Sequence, residues 1–161
     1  VQEECMKLLA LHAPVATDLR RVTAAMSLAT DLERMGDLAV GIADRVGDLR
    51  CRPSRTSVPS RVADMTRRST EMVRRALDAY ANRDAAAART VIRMDDEVDR
   101  DNDAIIQELI EGMKADPANL EAGLSLLSAV RHIERIADHA TNIAEGVVYA
   151  VEGEVLRHHP E

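Results

Sequence analysis

Apolar residues recur by threes and fours along almost the whole chain, so the pattern predicts helices and no strands. A short apolar stretch, Val1 to Leu11 with Met6, Leu8, Leu9 and Leu11, is broken by His12, Ala13 and Pro14. A long helix follows from Val15 to about Leu49, its stripe running through Leu28, Leu32, Met35, Ala39, Ile42, Val46 and Leu49. Arg50 to Ser60 holds Pro53, Pro59 and four Ser or Thr, so residues 53–58 read as a linker. Pro59 suits a first helical position, and the next helix buries Val62, Met65, Met72, Val73, Ala76, Leu77 and Tyr80. Asp84 reads as the cap of a helix from Ala85 to about Ala115, lined by Val91, Met94, Val98, Ile105, Leu109 and Met113. Asp116 and Pro117 close it. The last helix, Asn119 to about Val151, carries Leu126, Val130, Ile133, Ala137, Ala140, Ala144, Val147 and Val151, and residues 153–161 read as a frayed tail.

One phrase occurs twice. Ile133 to Glu145 reads IERIADHATNIAE, and Leu32 to Asp44, 101 residues earlier, reads LERMGDLAVGIAD. An echo at fixed offset points to a duplicated unit. On this reading residues 59–152 form a complete three-helix repeat, and residues 1–52 hold the last helix and the end of the second helix of a preceding one. The expected fold is all-α, two homologous antiparallel three-helix bundles with the first incomplete.

Composition narrows the picture. There is no Phe or Trp among 161 residues, so the core must be aliphatic, with Met and abundant Ala between close helices. A net charge of −7 argues against a nucleic-acid partner. Cys5 and Cys51 form no C-x-x-C pair and read as free thiols of a reducing cytosol. No apolar run approaches the ~20 residues of a membrane span, and the expected location is cytoplasmic.

The chemistry lies in the acids. Each copy of the repeated phrase has a Glu and an Asp four apart, Glu33 with Asp37 and Glu134 with Asp138, on one helix face. Residues 95–103, DDEVDRDND, add six acids. Counted from the turn at Asp116, Asp95 and Asp99 lie 21 and 17 residues before it, and Asp138 and Glu134 lie 22 and 18 after it. At equal rise per residue the two pairs stand at the same height on adjacent antiparallel helices. Four such carboxylates repel one another unless a cation intervenes, and oxygen ligation suits Mg²⁺, Mn²⁺ or iron. Asn142, one turn beyond Asp138, is either a further ligand or donor or a surface polar residue. The competing reading is a solvated acidic face neutralised by Arg34, Arg100 and Arg135. Glu33 and Asp37 have no partner pair within the chain, which predicts a half-built first site. His132 and His139 point away from the acidic face and are not expected to be ligands.

The segments LLALHAPVATDLRR, DLERMGDLAVGIADR, RMDDEVDR and RHIERIADHATNIAE resemble the PhoU family, accessory regulators of bacterial phosphate uptake. The resemblance implies two three-helix bundles and an E(D)-x-x-x-D motif in each repeat, associated with multinuclear iron or other metal clusters. Its motif falls on Glu33 with Asp37, Asp95 with Asp99, and Glu134 with Asp138. It further implies a cytoplasmic adaptor that is not an enzyme. Such an adaptor restrains the phosphate transporter, through its ATPase subunit, and the phosphate-sensing histidine kinase when phosphate is plentiful, meeting the membrane only through these partners. The chain departs from the family at its N-terminus and in having Gly41 where the second copy has Asn142. Apolar faces left open by an incomplete first bundle predict a homodimer. The alternatives are a di-metal carboxylate oxidase, for which the usual Glu-x-x-His pairs are absent, and a structural bundle without metal.

Overall fold

A computed structural model describes residues 1–50 and 57–156. Five helices follow one another: α1 (Gln2–His12), α2 (Ala16–Arg50), α3 (Arg61–Asn82), α4 (Ala85–Ala115) and α5 (Leu120–Glu152), with a 3-10 turn at Pro117–Asn119. Among the described residues there is no strand, as the apolar spacing predicts.

Local chemistry sets the boundaries. Ala13 takes a left-handed conformation (φ 40°) ahead of Pro14, and its N–H donates to Leu9 O at 3.2 Å, closing α1. The extended Asp84 accepts from Ala87 N–H at 2.9 Å and caps α4. Asp116 ends α4 and accepts from Ala118 N–H at 3.0 Å, so one residue closes a helix and starts the turn into the next. Gly153, at φ 77°, terminates α5. Pro59 differs slightly from expectation: its carbonyl accepts from Val62 N–H at 3.0 Å in a lead-in turn, and α3 proper begins at Arg61.

Helices α3, α4 and α5 pack on one another around a dry centre. Met65, Met72 and Ala76 of α3, Val91, Val98 and Ile105 of α4, and Val130, Ala137, Ala144 and Val148 of α5 are fully buried there. Unbranched methionines fill the space that aromatic rings would occupy elsewhere. Helix α1 packs on α2, and α2 lies along α5. Arg20 approaches Gly153, Asp31 meets His139 and Gly41 meets His132, so α2 and α5 are antiparallel. The two copies of the repeated phrase therefore face each other, with Met35 and Ile136, equivalent positions of the repeat, at the midpoint.

The stripe predicted for α2 is only partly inward. Met35 and Leu38 are buried and Leu28, Ile42 and Leu49 pack at the edge of the core, but Leu32 and Val46 are 41% and 46% exposed. Their equivalents in the second copy, Ile133 and Val147, are 6% and 2% exposed. The reason is coverage: α5 is flanked by α2, α3 and α4, whereas the described residues bring α2 only α5 and α1. On α5, Val151 at the end of the stripe is likewise exposed.

The tail is also less frayed than expected. Glu154 pairs with Arg89 at 2.6 Å and Leu156 packs against the core; residues 157–161, with His158 and His159, lie outside the described residues. So do Cys51 and residues 53–56 of the linker, while Cys5 is a buried free thiol. No described helix is long and apolar enough to cross a membrane.

Two glycines of α2 separate helix propensity from packing. A Cβ on Gly36 meets nothing within 4 Å, whereas one on Gly41 lies 2.7 Å from His132 Cε1 and 2.8 Å from its Nδ1. Gly36→Ala is expected to stabilise by about 0.5–1 kcal/mol. Gly41→Ala is expected to destabilise by about 1 kcal/mol, because the imidazole must be displaced from the α2–α5 interface. Thermal melts of the two variants shifting in the same direction would contradict this packing.

Candidate metal centre

The acid run of α4 divides between two faces. Glu97 and Asp101 turn toward α3, where Arg68 pairs with both, at 3.2 Å to Glu97, and Arg61 reaches Asp101 at 3.7 Å. Asp95 and Asp99 turn toward α5. This follows from the helix period: two residues apart is about 200° around the axis, so one acid-rich segment serves both neighbours.

The α4–α5 hairpin brings the four predicted acids together. Asp95, Asp99, Glu134 and Asp138 line one groove of about 350 Å³, with Thr141, Asn142 and Glu145 at its end. Counting from Asp116 thus placed both pairs at one height. Asp95 is buried and Asp99, Glu134 and Asp138 are partly buried, so their mutual repulsion is less screened than on an open surface. Glu134 registers it: burial, then the charges of Asp138, Asp99 and Asp95, push its carboxyl up to about 7 against the smaller opposing pull of Arg135.

Two residues beyond the four acids complete the groove. Glu145 lies within it, and Thr141 is buried with its Oγ1 lacking a hydrogen-bond partner among the described residues. Thr141 fell on the apolar side of the stripe, so only burial exposes its role. By contrast the hydroxyl of Ser69, equally buried, donates to Met65 O at 3.0 Å. Asn142 is exposed at the groove's rim, shared with a neighbouring hollow of about 620 Å³ that includes Ser27, Thr30 and Asp31.

The donors are chemically suited to a hard cation: carboxylate oxygens, an amide and a hydroxyl. They are not gathered into one shell. Among the described residues no three Asp, Glu, His or Cys side chains stand close enough to hold a single ion. The distribution explains this, since Glu134 to Glu145 extends about 16 Å along α5, far beyond the reach of one ion's oxygen ligands. Such a row fits more than one cation, or hydrated ones.

The first copy is different. Glu33 and Asp37 are exposed, and Asp37 pairs with Arg34 at 3.8 Å, both side chains about two-thirds in solvent. Neither Glu33 nor Asp37 lies in the α4–α5 groove. The histidines are engaged elsewhere: His139 Nδ1 lies 2.9 Å from Asp31 Oδ1 across the α2–α5 interface, and the His132 ring packs over Gly41. Asp31 was invisible to the sequence because its partner is 108 residues away.

Known proteins share this fold. The chain is 39% identical over 153 residues to a phosphate-specific transport system accessory protein PhoU homolog of Deinococcus radiodurans, a match covering 95% of this chain and 71% of that protein. It is 41% identical to the protein of the same description in Pseudomonas putida, covering 98% of this chain and 62% of that one. The crystal structure of PhoU from Pseudomonas aeruginosa superposes with a TM-score of 0.91 at 38% identity, over 94% of this chain and 73% of that chain. The phosphate transport system regulatory protein PhoU from Streptococcus pneumoniae gives 0.87 at 32% identity, over 98% and 73%. The PhoU domain matches residues 1–46 and 62–147, segments that between them hold both copies of the repeated phrase and all of the groove's acids, and the chain belongs to the PhoU family.

Proposed function

We propose that this chain acts as a metal-binding regulatory adaptor of phosphate uptake and phosphate-starvation signalling. The observation that carries the metal part is the α4–α5 groove, lined by four buried or partly buried carboxylates, where burial and then the neighbouring acids raise the Glu134 carboxyl to about 7. A cation there relieves the repulsion; iron, Mn²⁺ and Mg²⁺ are the candidates by donor type. Asp95, Asp99, Glu134 and Asp138 supply the charge, with Glu145, Asn142 and Thr141 able to contribute at one end. The adaptor part rests on the relatives, which are named as accessory to a phosphate transport system. The partners proposed are the transporter's ATPase subunit and the phosphate-sensing histidine kinase, met at the cytoplasmic membrane face. Long helices with charged outer faces support docking rather than catalysis, and nothing in the groove resembles the Glu-x-x-His pairs of a di-metal oxidase.

The experiment is co-purification of the tagged chain with each partner from phosphate-replete cells. The proposal expects retention of at least one, reduced under phosphate starvation; retention of neither overturns it. The uncovered face of α2, with Leu32, Val40 and Val46 exposed, supports the further expectation of a homodimer. Sedimentation showing a monomer at all concentrations would remove that expectation.

A further inference from the structure

Charge is distributed very unevenly along this acidic chain. Residues 50–93 hold eleven arginines, no lysine and only four acids, a net +7, while the remaining residues carry ten basic side chains against twenty-four acids. Helix α3 is the folded centre of the basic segment.

Its arginines are ordered as well as numerous. Arg67 and Arg74 form one row at seven-residue spacing, and Arg61, Arg68 and Arg75 form another beside it. Seven residues is close to two full turns, so each row stays on one face. Arg68 is taken up by α4, but the side chains of Arg61, Arg67, Arg74 and Arg75 are 58%, 72%, 76% and 51% exposed. Arg67, Arg74 and Arg75 have carboxylate neighbours only one turn away on α3 itself, solvated pairs worth little and easily exchanged for a better partner. None of the large hydrophobic side chains exposed among the described residues lies on α3 or α4. That composition lacks the apolar wedge of a membrane-binding helix and suits recognition by charge alone.

We propose that the arginine face of α3 is a docking surface for an acidic helix of a partner protein, one carrying carboxylates at heptad spacing. Guanidinium groups present flat, paired donors that match carboxylates, and heptad-spaced charges of opposite sign select partner and register between parallel or antiparallel helices. The surface belongs to α3 and not to the α4–α5 groove, so it stands independently of metal binding.

The probe is a labelled designed helix of about three heptads with Glu at heptad spacing, with a Lys counterpart, measured by fluorescence anisotropy on the whole chain. The Glu helix is expected to bind, to weaken about tenfold or more as salt rises from ~0.05 to ~0.3 M, and to lose binding to the Arg67→Glu/Arg74→Glu variant. That variant should instead take the Lys helix. Asp99→Ala/Glu134→Ala should bind the Glu helix like wild type, which separates this surface from the groove. Equal binding of both helices by wild type, or unchanged Glu-helix binding by the variant, overturns the proposal. So does arginine-dependent binding confined to phosphatidylglycerol vesicles, or arginine-dependent self-association of the chain without helix binding.

Discussion

Glu134→Gln is expected to move stability and metal affinity in opposite directions. In the metal-free protein its carboxyl is raised from 4.5 to about 7, first by burial and then by Asp138, Asp99 and Asp95. A raised carboxyl favours the folded state where it is protonated. That contribution is complete below the unfolded value of 4.5, and it is lost as pH climbs from there through about 7, because the unfolded chain ionises freely and the folded groove resists. Metal-free wild type should therefore lose roughly 1–2 kcal/mol across that window, after allowance for solvent screening at a partly exposed site, and Glu134→Gln should not. Above pH 7 the variant should melt higher than wild type by a few degrees, at about 2–4 °C per kcal/mol. Cation affinity should fall by about a hundredfold or more in the same variant, a ligand carboxylate having been lost. In wild type it should drop about tenfold per pH unit below 7, because the cation must displace the Glu134 proton. Paired thermal melts and Mn²⁺ titrations at pH 5, 6, 7 and 8 test both signs; a Gln variant that is less stable at pH 8 and binds Mn²⁺ normally contradicts them.

Met72→Ala carries the largest expected loss of stability. Met72 is fully buried on α3 and belongs to the aliphatic core it forms with α4 and α5. Truncation removes three heavy atoms from a close-packed, largely aliphatic interior. Comparable changes cost about 2–5 kcal/mol, lowering Tm by roughly 6–15 °C in a chain of this size. Met72→Leu, nearly isosteric, should cost less than ~1.5 kcal/mol. Equal losses for the two, measured by denaturant unfolding, would mean that the site is not close-packed.

The contrast between these two residues also shows what the sequence could disclose. Met72 sits in a regular apolar stripe, so its burial was readable from spacing, as were the bounds of α4 and α5 from Asp84, Asp116 and Pro117. The groove was readable because two helices joined by a tight turn share one ruler, and counting from Asp116 aligned Asp95 and Asp99 with Asp138 and Glu134. Outside that hairpin the ruler fails. Asp31 meets His139 only because α2 folds back along α5, and no local pattern encodes that register. Leu32 and Val46 lie on a proper stripe yet face solvent, since periodicity reports which face is apolar and not whether anything covers it. Thr141 was passed over because a hydroxyl on the apolar side of a helix resembles a small core residue until its missing partner is seen. The split of residues 95–103 between two faces went unread, because the arginines that claim Glu97 and Asp101 come from α3, some 30 residues upstream.

The central claim is that the α4–α5 groove binds cations through acids from both helices. Its most direct test is equilibrium binding of Mn²⁺ and Fe²⁺ at pH 7.5 to wild type, to Asp99→Ala/Glu134→Ala, and to Glu33→Ala/Asp37→Ala as the control in the first copy. Saturable binding by wild type and by the control, weakened by at least ~100-fold in Asp99→Ala/Glu134→Ala, is the predicted result. Binding that survives in Asp99→Ala/Glu134→Ala, or that is lost only when Glu33 and Asp37 are removed, would contradict it.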